Sequence, residues 1–120
     1  ALDGYPLSDT MIETAEKAGV TRNKIILDPG IGFGKTPEQN LTLIAQVGKI
    51  KELGFPVLIG PSRKSFIGHT LGATVDERLE GTAACVAAAV MGGANIVRVH
   101  DVKFMARIVK MAAALRKAGA

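Results

Sequence analysis

A lone carboxylate, Asp28, closes the apolar run Ile25, Ile26, Leu27 and opens the glycine-rich stretch Asp28-Pro-Gly-Ile-Gly-Phe-Gly-Lys35. Two uses of that acid stand open. It can cap its own loop through the N–H groups of the following glycines, the ordinary work of Asp before a turn. Or it can wait, partly buried, for a cationic or amidine-like donor edge, such as the two parallel N–H donors of an aminopyrimidinone ring. The glycines invite comparison with a phosphate-binding P-loop, because Gly34-Lys35-Thr36 has the tail of that motif. The head of the motif fails: its first required glycine is Pro29, which has a fixed φ and no N–H to offer a phosphate. The spacing of Gly30, Gly32 and Gly34 also misses the dinucleotide fingerprint.

Cations gather in two later stretches. Ser62-Arg-Lys-Ser65 sets two hydroxyls and two cations just after the run Pro56-Val-Leu-Ile-Gly60. Such a cluster is ordinarily a solvated loop. Here Gly60-Pro61 forces a tight exit and Phe66-Ile67 draws the segment back toward a core. A short helix starting near Ser65 would aim free N–H groups at an anion. Arg98 and His100 stand two apart in Asn95-Ile-Val-Arg-Val-His100, so in a strand both leave one face while Val97 and Val99 take the other. A charged side chain in so apolar a strand is costly unless it meets an anion, and the pair reads as an anion or phosphate site. No nucleophile–base pair accompanies these groups, which points to binding and electrostatic stabilisation.

The elements that must position these residues repeat one layout, a β-rich run, a polar exit and a helical pattern. Parallel α/β sheets and barrels bind ligands at the carboxyl ends of their strands, so the layout itself indicates an enzyme. Strands are expected at 25–27, 55–59 and 96–99, the first continuous and branched as in a strand buried on both faces. Ser8 is the expected cap of a first helix with Met11, Ile12, Ala15 and Ala18 on one face and Gly19 as its stop. Thr36, Pro37 and Gln39 form a helix start, with Gln39 reaching back to the cap. That helix should carry Leu41, Ile44, Ala45, Val47 and Ile50 and stop near Gly54. Asp76 should open a third helix running to about Met91, apolar nearly all round and so packed on several sides. Asp101 should cap a last helix with Phe104, Ile108, Met111 and Leu115 inward and Lys103, Arg107, Lys110 and Arg116 outward. The order α-β-α-β-α-β-α implies parallel strands and right-handed crossovers. Barrel and open sheet remain alternatives at this level, and a whole barrel needs roughly 250 residues.

The bulk properties fit one small domain. The chain has 120 residues and 48% hydrophobic content, enough for a folded core. A net charge of +4 suits an anionic small molecule. With Tyr5 the only tyrosine, no Trp and no dense basic cluster, nucleic acid is not an expected partner. Cys85 is the only cysteine, which precludes an internal disulfide and suits a small buried hydrophobe. The longest apolar run is too short to span a membrane, and a cytoplasmic location is expected. The opening Leu2-Asp-Gly-Tyr-Pro6 reads as a connector, and the chain reads as a piece of something longer.

Asp28-Pro-Gly-Ile-Gly-Phe-Gly-Lys-Thr36, Leu58-Ile-Gly-Pro-Ser-Arg-Lys-Ser-Phe-Ile-Gly68 and Val97-Arg-Val-His-Asp-Val102 closely resemble three signatures of the dihydropteroate synthases, the sulfonamide-sensitive enzymes of folate biosynthesis. The resemblance runs along essentially the whole chain and implies an α/β fold, a partial TIM (β/α)8 barrel. Residues 1–120 would be its C-terminal portion with the last three strands, the N-terminal portion being absent. The activity implied is the condensation of 6-hydroxymethyl-7,8-dihydropterin pyrophosphate with p-aminobenzoate to 7,8-dihydropteroate and pyrophosphate, assisted by Mg2+. Asp28, Gly60 and Lys64 correspond by resemblance to pterin-binding positions, and Arg98 and His100 to the pyrophosphate site. Phe33, Ser62, Arg63 and Ser65 correspond to positions near the p-aminobenzoate and sulfonamide pocket. The Mg2+ ligand would come from the missing N-terminal part, with no metal ligand in this segment. The chain alone is therefore expected to be inactive, and exposed strand edges favour a homo-oligomer. Two alternatives remain: a non-catalytic half-barrel that only assembles, and another pterin-binding barrel such as a methyltetrahydrofolate:corrinoid methyltransferase. The second has no need of a diphosphate site, against which Ser62 to Ser65, Arg98 and His100 argue.

Overall fold

A computed structural model describes residues 9–120. The expected cap Ser8 and the connector at 2–6 lie outside the described residues. Six helices and a short parallel sheet follow in the order α1 (Asp9–Lys17), α2 (Pro37–Ala45), α3 (Val47–Lys51), β1 (Leu58–Ile59), α4 (Ser65–Leu71), α5 (Leu79–Met91), β2 (Ile96–Val97) and α6 (Val102–Ala118). Single 3-10 turns occupy Arg22–Lys24 and Val75–Glu77. Strands β1 and β2 pair in parallel, Leu58 opposite Ile96 and Ile59 opposite Val97. On the other side of β1, Leu27 makes a parallel bridge to Val57, its N–H donating to the Pro56 carbonyl at 2.9 Å and its carbonyl accepting from Leu58 at 2.8 Å. Three adjacent parallel segments, each followed by helix, are what the sequence order requires.

The strands are shorter than expected. Of 25–27 only Leu27 bridges, and Ile26 is 52% exposed, so this segment is not buried on both faces. The reason is geometric: helices cover one side of the three segments, and on the other side Ile26 and Ile96 stay 52% and 39% exposed. The covered side supplies the main core, where Leu27, Val57 and Ile59 meet Ile31, Leu43, Ile44, Val47, Ile50 and Phe66.

Local chemistry explains most helix ends. The Thr36 side chain accepts from the Gln39 N–H at 3.1 Å, and the Gln39 side chain accepts from the Thr36 N–H at 2.9 Å, with Pro37 in the first turn. Such a reciprocal cap stabilises a helix start by about 1 kcal/mol. Helix α1 ends at Gly19, whose φ is +97°. The helix from Pro37 does not run unbroken to Gly54. It turns at Gln46 (φ −110°, ψ 28°), which brings Val47 and Ile50 into the same buried layer as Leu43 and Ile44 and leaves Leu41 and Ala45 exposed.

Three expectations about the later helices are corrected. Asp76 lies in the isolated turn Val75–Glu77, and α5 opens only at Leu79, because the backbone of Arg78 between them leaves the helical region (φ −106°, ψ 10°), its side chain donating to the Arg63 carbonyl at 2.9 Å. Asp101 precedes α6 but caps none of its N–H groups with its side chain, which is engaged elsewhere. The inward face of α6 is not Phe104, Met111 and Leu115, all of them about half exposed, but Met105 and Ala112 with Ile108, Val109 and Ala113 beside them. The partner surface on α5 is small, with Ala83 and Ala87 around Val86 and Val90, and it admits the alanine-bearing face of α6 at close range. Arg116 is exposed, as expected, and its guanidinium also donates to the Val90 carbonyl at the end of α5.

Candidate functional site

The carboxyl ends of the three parallel segments form one edge, and the chemistry-bearing side chains of the sequence meet there. Asp28, one residue past Leu27, uses Oδ1 to accept the Gly30 N–H at 2.8 Å. Its Oδ2 lies 3.6 Å from a guanidinium nitrogen of Arg98, and both side chains are substantially open to solvent. The acid therefore serves its own turn and a cation together, with lone pairs to spare for a further donor.

Arg98 reaches Asp28 because Gly60 lies beneath it. A Cβ on Gly60 would fall 2.8 Å from one guanidinium nitrogen and 3.2 Å from Cζ, so the side chain could not keep this pose over any other residue. Val97 and Val99, the alternate residues, pack toward the α5–α6 layer, as the two-residue period demands. His100 leaves on the same face as Arg98 and is held from behind. Its backbone N–H donates to Ser62 Oγ at 3.0 Å, and its Nδ1 lies 2.7 Å from the same oxygen.

Next to that contact, Arg63 forms a two-nitrogen ion pair with Asp101, at 2.9 and 3.3 Å. Asp101 holds the guanidinium's pKa above its ordinary value through this hydrogen bond and charge. Arg63 adopts φ +56°, a left-handed conformation unusual for a residue with a Cβ. Three contacts enforce it: its N–H donates to the buried Thr82 Oγ1 at 3.1 Å, its carbonyl accepts from Arg78, and its side chain is tied to Asp101. The two neighbouring residues Ser62 and Arg63 thus clasp His100 and Asp101, fastening the loop after β1 to the loop after β2.

Lys64 turns the opposite way, toward the glycine loop. Its stem crosses Gly32, where a Cβ would meet Lys64 Cδ at 2.9 Å, and its ammonium sits 4.3 Å above the Phe33 ring. Phe33 is itself 62% exposed. Lys35 donates to the carbonyls of Gly30 and Phe33, an internal role that agrees with rejecting a P-loop. Ser65 opens α4 and is exposed.

The edge thus unites Asp28, Gly60 and Arg98, joins Ser62 to His100, and lays Lys64 across Phe33, while Arg63 faces Asp101. Sequence reasoning missed the supports. Buried Asn40 accepts the Gly32 N–H at 2.8 Å and donates to the Thr36 carbonyl, which shapes the glycine loop. Asn95 Oδ1 accepts from Val57 N–H and Lys51, and Thr82 accepts from Arg63. The available signal was a short polar side chain on an otherwise apolar face, as with Thr82 in α5. Among the described residues no three His, Cys, Asp or Glu side chains converge to hold a metal, and no helix is long and apolar enough to cross a membrane.

Residues 7–100 match the family model described as pterin binding enzyme. The dihydropteroate synthase of Synechocystis is 56% identical over 105 residues, covering 87% of this chain and 36% of that protein. The structure of a Coxiella burnetii dihydropteroate synthase in complex with pteroic acid superposes with a TM-score of 0.88 at 38% identity, covering 92% of this chain and 41% of that one. A Yersinia pestis dihydropteroate synthase with a sulfonamide drug gives 0.87 at 40% identity, with 92% and 40% covered. The chain thus spans roughly two-fifths of the length of the relatives it matches.

Proposed function

The chain belongs to the pterin binding enzyme family, and from that premise we propose that it is a segment of a dihydropteroate synthase, the last three strands of a (β/α)8 barrel with their helices. The whole enzyme would condense 6-hydroxymethyl-7,8-dihydropterin pyrophosphate with p-aminobenzoate. The observation that carries the reading is the single edge on which Asp28, Arg98 and His100 lie, an acid for the heterocycle directly beside a guanidinium and an imidazole for the diphosphate.

Asp28 retains acceptor capacity beyond the Gly30 N–H and takes the paired N–H donors of the pterin. Lys64, laid across the glycine loop, donates to the same ring from its other side, with Gly60 beneath. Arg98 has five N–H donors and spends one direction on Asp28, so the remainder can hold a phosphate oxygen while the pterin is seated. The bond from the pterin methylene to the diphosphate oxygen breaks with its electron pair leaving on pyrophosphate, whose charge Arg98 and His100 offset. The aromatic amine then forms the new carbon–nitrogen bond to the cationic methylene and loses a proton. By resemblance, Phe33, Ser62, Arg63 and Ser65 would lie near the pocket for p-aminobenzoate or a sulfonamide.

Mg2+ is the cofactor of the proposed reaction, but the acids at this edge do not furnish its site. Asp28 is engaged by Gly30 and Arg98, and Asp101 by Arg63. Its ligands belong to the polypeptide that this segment would complete, as does turnover. A cytoplasmic location accords with a single, unpaired cysteine.

Calorimetric titration of the chain with the dihydropterin pyrophosphate tests the reading, with Asp28→Asn as control. Heat of binding in the parent chain and its loss by at least tenfold in affinity in the variant are expected. A folded parent chain that gives no heat, or a variant that binds equally well, would refute the assignment of Asp28.

A further inference from the structure

We propose that Ser62 is a positioning residue for His100, fixing the neutral imidazole with its proton on Nε2, where it faces outward as a donor. Ser62 is buried, 5% exposed, and its Oγ has two neighbours, the His100 N–H at 3.0 Å and His100 Nδ1 at 2.7 Å. A serine hydroxyl carries one proton and two lone pairs. The backbone N–H can only donate, so it takes one lone pair. If Nδ1 also carried a proton, both lone pairs would be filled and the hydroxyl proton would point at nothing. No other acceptor bonds this oxygen among the described residues. A buried donor left unmade costs more than the bond itself is worth. Every group is satisfied only when the Ser62 hydroxyl donates to Nδ1, which leaves the ring proton on Nε2.

The two bonds act on one residue from both ends. The N–H bond sets the backbone of His100 at the end of β2, and the hydroxyl bond sets the rotation of the ring. His100 is otherwise exposed, and Arg98, two residues earlier, shares its face. Orientation of an imidazole through its second nitrogen is a general way of preparing the first for work. For its consequence this inference rests on the proposed diphosphate role of His100, where an outward Nε2–H is a ready donor to a phosphate oxygen. It also limits what Ser62 can offer a substrate: its proton is spent on His100 Nδ1, and only one lone pair is left to accept.

The test is a long-range proton–nitrogen NMR correlation of the 15N-labelled chain at a pH where the rings are neutral. The exposed His69 on α4 serves as an internal reference. His100 should show an unprotonated, hydrogen-bonded Nδ1 and a protonated Nε2 in the parent chain and in Ser62→Thr. In Ser62→Ala its nitrogens should move to the averaged positions of His69. A protonated Nδ1 in the parent chain, readable without any variant, would overturn the proposal. So would an unchanged His100 spectrum in a folded Ser62→Ala. Titration with inorganic pyrophosphate separates the two readings: Ser62→Ala should bind roughly 5- to 10-fold more weakly, the effect of one lost hydrogen bond, and Ser62→Thr should restore it. A tautomer fixed by Ser62 in a chain that never binds pyrophosphate would uphold the positioning role and overturn the diphosphate assignment.

Discussion

Gly60 and Arg98 behave as one unit at the strand-end edge. The methyl of Gly60→Ala would occupy the space of the guanidinium, which is the flexible end of a long side chain and can swing aside. The substitution should therefore leave stability within about 0.5 kcal/mol while separating Arg98 from Asp28. Pyrophosphate affinity should fall about tenfold, the scale of one charge-assisted contact, with an unchanged thermal midpoint. A large drop in the midpoint with affinity intact would show that the glycine serves packing instead. Cys85 tests a different point. Burial pushes its thiol from 9.0 up to about 11, and the thiolate is the reactive form. Alkylation should be slow near neutral pH and rise steeply only toward pH 11. The unfolded chain holds fewer protons than the folded one between these values, so stability is full below pH 9.0 and falls as pH rises through that window. Chemical denaturation at both ends of the window would detect the difference.

Helices were legible where their signals were local and obscure where packing decided. The Thr36–Gln39 box lies within four residues, so its chemistry could be read directly and both bonds form. In α6 two apolar stripes run side by side and share Ile108, one with Phe104, Met111 and Leu115, the other with Met105, Val109 and Ala112. Their periodicities are equal, and the smaller residues on α5 select the second, a choice that no single-helix pattern contains. The site followed the same division. Spacing alone placed Arg98 and His100 on one face, but the partners of Ser62 and Arg63 lie 38 residues away and had no local signature. The stripe left outside has its own expected effect. Replacing the exposed Met111 and Leu115 by Lys should lower self-association in sedimentation while changing stability by about 0.5 kcal/mol or less. A large loss of stability would show that this face is packed in the folded chain.

At the scale of the molecule, helices cover one side of three parallel segments, and among the described residues the other side leaves Ile26 and Ile96 exposed. That exposure fits a chain spanning roughly two-fifths of the relatives it matches. The strand-end edge is complete enough to pair its own charges, Asp28 with Arg98 and Arg63 with Asp101, before any ligand arrives. The clasp between the loops after β1 and β2 joins residues 38 apart in the chain, across α4 and α5. His100 can be in place only when that whole span is folded, so occupancy of the edge and integrity of the sector are thermodynamically linked. Pyrophosphate at 100 times its dissociation constant should then raise the unfolding free energy by about 2.7 kcal/mol, visible as a higher melting temperature. Severing the clasp by Arg63→Ala should shrink that gain. Heat resistance conferred by a small anion is in this sense a gauge of how much of the chain has come together.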